Sequence, residues 1–379
     1  MGGVKMEWKE VTISDIANLK NGKKRPSKSG DVPVFGGNGI MDYVNSFNDE
    51  DTIVIGRVGA YCGCVYLSKG KCWVSDNAIA AKAKECNDNE YLYYLLSSLN
   101  LNHHHIGGAQ PLMTQDIIGK IEVIVPQKVD DQRRIASILS SLDRKIELNN
   151  KINAELEEMA QAIFKNWFVD FEPFKEGKFV ESELGMIPEG WKVGRLTDIA
   201  SYLNGLAMQK FPPENKNESL PVLKIKELGQ GFCNMDSDRC SSNIKNEYKI
   251  HNGDVIFSWS GTLLVDIWCG GDCGLNQHLF KVTSNDYPKW FYYYWTKYHL
   301  KEFIHIAKDK AVTMGHIKRG HLEEALVVIP DTKSLSKANE LYIPLLENII
   351  SLRLESSRLS ALRDTLLPKL MSGELEVSE

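Results

Sequence analysis

From Asp131 to Phe168 the chain carries neither glycine nor proline, and apolar residues recur at Ile135, Ile138, Leu142, Ile146, Ile152, Leu156, Met159 and Ile163. Gaps of mostly three or four place them on one stripe of a helix. A second run spans about Leu335 to Met371, with Leu341, Leu345, Ile349, Leu352, Leu359, Leu362, Leu366 and Leu370. Pro344 is expected to kink its first turns and Pro368 to end it, because proline removes a helical hydrogen bond. At 1.5 Å of rise per residue each helix spans roughly 50–57 Å. A lone helix of that length buries too little of itself, so the matching stripes predict an antiparallel coiled coil. Core helices of two separate domains are the plainer alternative, but ordinary globular helices are shorter.

Ahead of each long helix the pattern changes to short apolar runs bounded by Gly and Asp, such as Thr52–Ile55 and Val255–Phe257, which read as strands. The two stretches repeat one another. Trp8-Lys-Glu-Val-Thr-Ile-Ser-Asp-Ile-Ala17 returns as Trp191-Lys-Val-Gly-Arg-Leu-Thr-Asp-Ile-Ala200, and Asn21-Gly22 returns as Asn204-Gly205, all at an offset of 183. Thr52–Gly59 answers Asp254–Gly261, and Tyr91–Leu96 answers Trp290–Trp295. Ile121–Pro126 answers Ala325–Pro330 at an offset of 204. Matches in one order make a duplication. Each copy holds a strand-rich block, an aromatic helix (Glu90–Leu101 or Lys289–Leu300), a strand ending in proline, and a long helix. The drift in offset, 204 − 183 = 21, assigns the second copy about that many extra residues, expected mostly around Phe211-Pro212-Pro213.

The predicted fold is α+β: two α/β domains related by an internal pseudo-twofold axis and separated by two long antiparallel coiled-coil helices. The boundaries fall at residues 1–130 and 191–333 for the two domains, 131–171 and 334–379 for the helices, and 172–190 for a charged linker.

Composition adds little and excludes much. Of 379 residues, 43% are hydrophobic and 25% charged, which is ordinary globular composition. The net charge of −5 excludes a globally basic chain but not a local basic face. No run reaches the roughly 18 apolar residues of a membrane span, and Met1–Glu10 lacks the apolar core of a signal peptide. A cytoplasmic protein is expected. The eight cysteines form no CxxC pair, so buried free thiols are expected and no metal site.

At this point the residues resemble a family. Glu183-Leu-Gly-Met-Ile-Pro-Glu-Gly-Trp-Lys192 is similar to the entry into the second target-recognition domain of Type I restriction–modification specificity subunits. Trp8-Lys-Glu-Val, Gly36–Tyr43, Gln132-Arg-Arg-Ile-Ala136, Phe164–Phe171, Asn276–Phe280 and Leu366–Gly373 resemble further motifs of that family. The resemblance covers nearly the whole chain. It implies that each domain reads one half of a bipartite site on double-stranded DNA. It also implies that the paired helices hold the domains apart and dock two methyltransferase subunits. Those partners would carry S-adenosylmethionine and methylate adenine at N6. Restriction subunits, with ATP, would join them. The chain itself would bind no cofactor and catalyse nothing.

DNA contact requires cations at phosphates and polar groups at base edges. In the first domain Lys23, Lys24, Arg25 and Lys28 are the phosphate candidates, Arg57 is the candidate for guanine, and Lys69, Lys71, His104 and Gln110 are weaker ones. In the second domain the main cluster is Lys308, Lys310, His316, Lys318 and Arg319, with Trp259 and Ser260 at the position matching Arg57. Lys224 and Lys226, two apart on an expected strand, would share a face. Leu139, Phe164, Trp167 and Phe168 widen the apolar band of the first long helix and are expected to dock a partner.

Two other classes compete. A methyltransferase is suggested by Phe35-Gly-Gly-Asn-Gly39, but the run that follows reads as strand rather than helix, and no Asn/Asp-Pro-Pro-aromatic loop is present. A stand-alone DNA-binding regulator would need only a dimer interface. No phosphate-binding loop and no zinc-deaminase signature occurs.

Overall fold

The apolar runs form strands in both halves, and the two halves repeat one topology. The computed structural model describes residues 6–106, 111–215, 218–309 and 315–377. It divides into two compact units, Met1–Ile146 with Arg358–Glu379, and Glu147–Ser357. The division falls inside the long helices, so each unit keeps part of both.

In unit 1, strand Trp8–Thr12 pairs antiparallel with Glu122–Pro126. An antiparallel sheet follows in the order Ala17–Asn21, Ala78–Ala83, Ile53–Gly56, Val65–Leu67. A second sheet runs Gly39–Val44, Val32–Gly36, Lys71–Val74, Asp49–Glu50, its middle pair parallel. Ile53 and Ile55 pack with Tyr91 and Leu95 of helix Asn89–Ser98 and with Ile135, Leu139 and Leu370 of the long helices. Asp88 caps the short helix through the Tyr91 N–H, 2.8 Å away. That helix stops before the expected Leu101, because Asn100 adopts the left-handed conformation (φ 47°).

Unit 2 repeats these pairings: Lys192–Arg195 with Leu326–Ile329, then Ser201–Asn204, Leu279–Thr283, Val255–Ser258, Leu264–Ile267. Its second sheet runs Arg239–Ser241, Ser219–Leu223, Cys273–Leu275, Lys249–Ile250, again with a parallel middle pair. Its aromatic helix, Lys289–Asp309, runs past the expected Leu300 because Phe303 and Ala307 continue the buried face. The extra residues are not mainly at Phe211-Pro212-Pro213. Val34–Trp73 and Val222–Gly274 are matching parallel partners, so the offset is 188 on the first strand and already 201 on the second. The bulk of the insertion therefore lies between them, with helix Ile225–Gln230 inside it.

The long helices run Val129–Phe168 and Thr332–Met371, unbroken. Pro368 does not end the second: the Ser372 N–H still bonds the Pro368 carbonyl, and buried Leu370 and Met371 hold the last turn in the unit 1 core. The helix also continues through Pro344. Within unit 2 the helices are antiparallel, with Asn149 Nδ2 donating to Glu355 Oε2 at 2.7 Å and the Tyr342 hydroxyl donating to the Ala160 carbonyl at 3.2 Å. Within unit 1, Arg363 pairs with Asp143 at 2.7 Å. The seam of the first helix passes through Ile135, Leu139, Leu142, Ile146, Asn149, Asn153, Leu156 and Ala160, alternating steps of four and three. Met159, Leu341 and Leu362, expected on the stripes, are exposed instead, because the seam runs through buried Asn149 and Asn153.

The expected docking residues also prove internal. Leu139 is buried in the unit 1 core; Phe164 and Phe168 are buried in that of unit 2, against Trp295, Trp191 and Trp290. Trp167 is half-buried, with Phe174 edge-on and Lys337 over its ring. These aromatics close a core rather than form a free face. Each full burial of this kind contributes roughly 1.5–3 kcal/mol. Of the cysteines, Cys62, Cys72, Cys240 and Cys273 are buried, whereas Cys86 is exposed. Among the described residues no helix is long and apolar enough to cross a membrane.

Candidate nucleic-acid interface

Four segments of unit 1 meet beyond the end of strand Ile53–Gly56. The Arg57 N–H bonds the Asn77 carbonyl (2.9 Å), and the Arg57 carbonyl accepts from the Met113 N–H (2.8 Å). Gly22 N–H bonds the Ala78 carbonyl and Lys23 N–H the Val74 carbonyl, both at 3.0 Å. Gly59 N–H bonds the Pro111 carbonyl at 3.1 Å.

The same corner exists in unit 2. Trp259 N–H faces the His278 carbonyl (3.4 Å), and Ile317 N–H bonds the Trp259 carbonyl (3.1 Å). Gly205 N–H bonds Leu279, Leu206 N–H bonds Leu275, and Gly261 N–H bonds Gly315. Isolated bridges correspond too: Lys23 with Ser75 and Leu206 with Asn276; Val58 with Leu112 and Ser260 with His316. Both corners need glycine at one point. A Cβ on Gly22 would lie 1.9 Å from the Ser75 carbonyl oxygen, and one on Gly205 would lie 2.2 Å from that of Asn276.

On this common frame the side chains differ. Unit 1 presents Arg57, half-buried, with exposed Lys23, Asp76, Asn77, Val58 and Tyr61 around it. The Cys62 thiol, whose acidity burial suppresses, donates to the Arg57 carbonyl at 3.5 Å. Unit 2 presents Trp259, whose Nε1 donates to Asn204 Oδ1 at 2.9 Å. The rings of His278 and His316 lie 6.0 and 6.3 Å from it. Gln277 stands beside them, half-buried.

The structure gathers some of the expected residues and separates others. Lys23 and Arg57 share the unit 1 corner, as do Trp259 and His316 in unit 2. His104 is exposed on the segment that reaches the corner through the Ile106–Leu112 and Val58–Leu112 bridges. Lys24 and Lys28 are exposed on the loop after Lys23, but Arg25 is engaged by Asp42. Lys69 and Lys71 flank Gly70, whose carbonyl bonds Asp51, at the opposite end of strand Ile53–Gly56. Lys71 sits over the Phe47 ring. Ser260 is buried, its hydroxyl 3.0 Å from His278 Nδ1, so it supports His278 rather than facing outward.

Lys224 and Lys226 are not on a strand. The strand ends at Leu223, Lys224 caps helix Ile225–Gln230 and is paired with Asp238, and Lys226 is exposed within that helix. Lys308 and Lys318 are exposed near Gly315, which packs against Ala307. Arg319 lines a separate cleft with Asp198 and Asp286. Lys310 and Gln110 lie outside the described residues. Asn77, Asn204, Gln277 and His278 were not singled out as contacts from the sequence. For Asn204 the signal is the Asn-Gly repeat, and for Gln277 and His278 the Asn276–Phe280 motif; no motif marks Asn77.

Such corners offer cations for phosphates and amide, imidazole and guanidinium groups for base edges. A family model described as the Type I restriction modification DNA specificity domain matches the chain twice, at residues 5–158 and 188–340. The chain belongs to that family. Each match holds one complete corner. The Type I restriction enzyme MjaIX specificity subunit of Methanocaldococcus jannaschii is 29% identical, over 100% of this chain and 96% of its own. The HindI specificity subunit of Haemophilus influenzae is 23% identical over 96% and 90%. The crystal structure of the Type-I restriction-modification system S subunit from M. genitalium superposes with a TM-score of 0.61 at 18% identity, covering 97% of this chain and 96% of that one. It shows the same fold.

Proposed function

We propose that the chain is the non-catalytic reading subunit of a Type I restriction–modification complex. Each unit recognises one half of a bipartite duplex site through its corner, and two methyltransferase subunits and restriction subunits assemble around it. S-adenosylmethionine and ATP belong to those partners. The observation that carries this reading is the duplicated corner, one main-chain frame bearing two different sets of side chains. A chain that reads two unlike half-sites requires that combination. Exposed Leu148, Met159, Leu341, Ile343 and Leu362 on the long helices support partner docking there, in place of Leu139, Phe164, Trp167 and Phe168.

The test uses the full chain with and without its co-expressed methyltransferase. Calorimetry of the chain alone is expected to register no S-adenosylmethionine binding, and gel filtration is expected to show a larger complex with the partner. Tight cofactor binding by the chain alone would overturn the non-catalytic role. An unchanged elution volume would favour a stand-alone regulator. Replacing Lys308 and Lys318 by Ala should weaken duplex binding and flatten its salt dependence by roughly 0.9 unit of slope per lost phosphate contact.

A further inference from the structure

Arg57 differs from the other arginines of unit 1. Arg25, Arg133, Arg134 and Arg363 pair with aspartates, and Arg144 and Arg358 are exposed to water, whereas Arg57 is half-buried. Arg57 has no carboxylate partner among the described residues. Among the described residues its buried Nε has no hydrogen-bond partner, and one terminal nitrogen makes only a long 3.5 Å contact to the Asp76 carbonyl. A half-buried guanidinium short of acceptors costs stability, because it gives up water without fully replacing it. Its main chain is fixed on both sides, by Asn77 and by Met113. The group is therefore pre-positioned and unsatisfied, and its planar donor fork matches an acceptor pair. Exposed Lys23, at the same corner, adds a positive charge for a neighbouring phosphate. In unit 2 the equivalent position carries Trp259, whose indole N–H is already satisfied by Asn204.

We propose that Arg57 is a specificity-determining residue of unit 1, bonding O6 and N7 of one guanine in the half-site that unit reads. Among bases in the major groove, guanine alone offers two adjacent acceptors. Unit 2, lacking the fork at this position, makes no such contact there. This inference rests on the proposed DNA-reading function.

The decisive experiment selects duplexes from a random library with the full chain, co-expressed with its methyltransferase, and compares Arg57→Ala and Arg57→Lys with the parent. The expected result is loss of preference at a single G·C pair in one half-site, by roughly 5- to 150-fold, with the other half-site unchanged. Arg57→Lys keeps the charge but not the rigid planar fork, so it should weaken the same preference at that one pair while keeping the salt dependence. It also decides the question if the alanine variant folds poorly. An unaltered motif, or a uniform weakening with a shallower salt slope in both variants, would overturn the assignment. If the parent selects no bipartite motif, the proposed function fails before this inference is reached.

Discussion

At the scale of single residues, chemistry was easier to foresee than availability. Lysines and arginines could be counted, but whether each was free depended on partners distant in sequence. Arg25 meets Asp42, and Lys224 meets Asp238. Ser260 turns inward to His278, eighteen residues on. Arg57 stands out in the sequence as a candidate base contact because it follows a strand in the stretch ending at Gly59, whereas its lack of a carboxylate partner among the described residues is visible only in three dimensions. The corner glycines invite a direct check. Gly22→Ala drives a methyl into the Ser75 backbone, and a clash that the main chain must absorb costs about 1–3 kcal/mol. Gly229→Ala, helical and with nothing within 4 Å of the new methyl, should be neutral or stabilising by up to about 1 kcal/mol. Chemical denaturation of the two variants should show opposite shifts in midpoint.

At the scale of elements, the long helices followed from the absence of glycine and proline, yet their seam was misplaced. The apolar count skipped Asn149 and Asn153 because they are polar, and took in Ile152 and Met159 instead. Burial shows that the heptad continues through the asparagines, opposite a helix that buries Ser356. Polar residues at such positions cost stability and fix register. The seam also governs any attempt to lengthen the pair. Four residues inserted beside Asn149 in the first helix alone would part Asn149 from Glu355. A matching insertion in the second helix, beside Glu355, preserves the pairing. Each insertion adds about 6 Å and a little over one turn. If helix length sets the gap between half-sites, the paired insertion should lengthen the unspecified spacer of the methylated motif by one or two base pairs, at roughly 3.4 Å each. A single insertion should lower the melting temperature. An unaltered spacer in a folded, active paired mutant would show that helix length is not the ruler.

At the scale of the molecule, the duplication was the most legible feature, because Trp8 and Trp191 open blocks with the same order of elements. Less legible was where the copies diverge. Proline marked one loop as the insertion, while most of the added length entered between two strands that pair in parallel, a register no local pattern reveals. Family membership is consistent with that architecture: the model matches twice, once per copy. If the units read independently, exchanging residues 191–333 for the equivalent block of another specificity subunit should change one half of the methylated motif and leave the other. Methylome sequencing reads that outcome, and a change in both halves with the fold intact would count against independence.

The common corner also bears on how such a chain acquires new targets. Its frame is held by main-chain hydrogen bonds and by glycines, none of which depends on which side chain stands at Arg57 or Trp259. Arg57 is half-buried, and Trp259 rests on the edge of the unit 2 core against Phe280. If the corners are where the units read, a substitution at either position can change the target while the main-chain frame is kept. Within one chain, an arginine and a tryptophan already stand on matching backbones of a duplicated block, so the frame tolerates side chains as unlike as these.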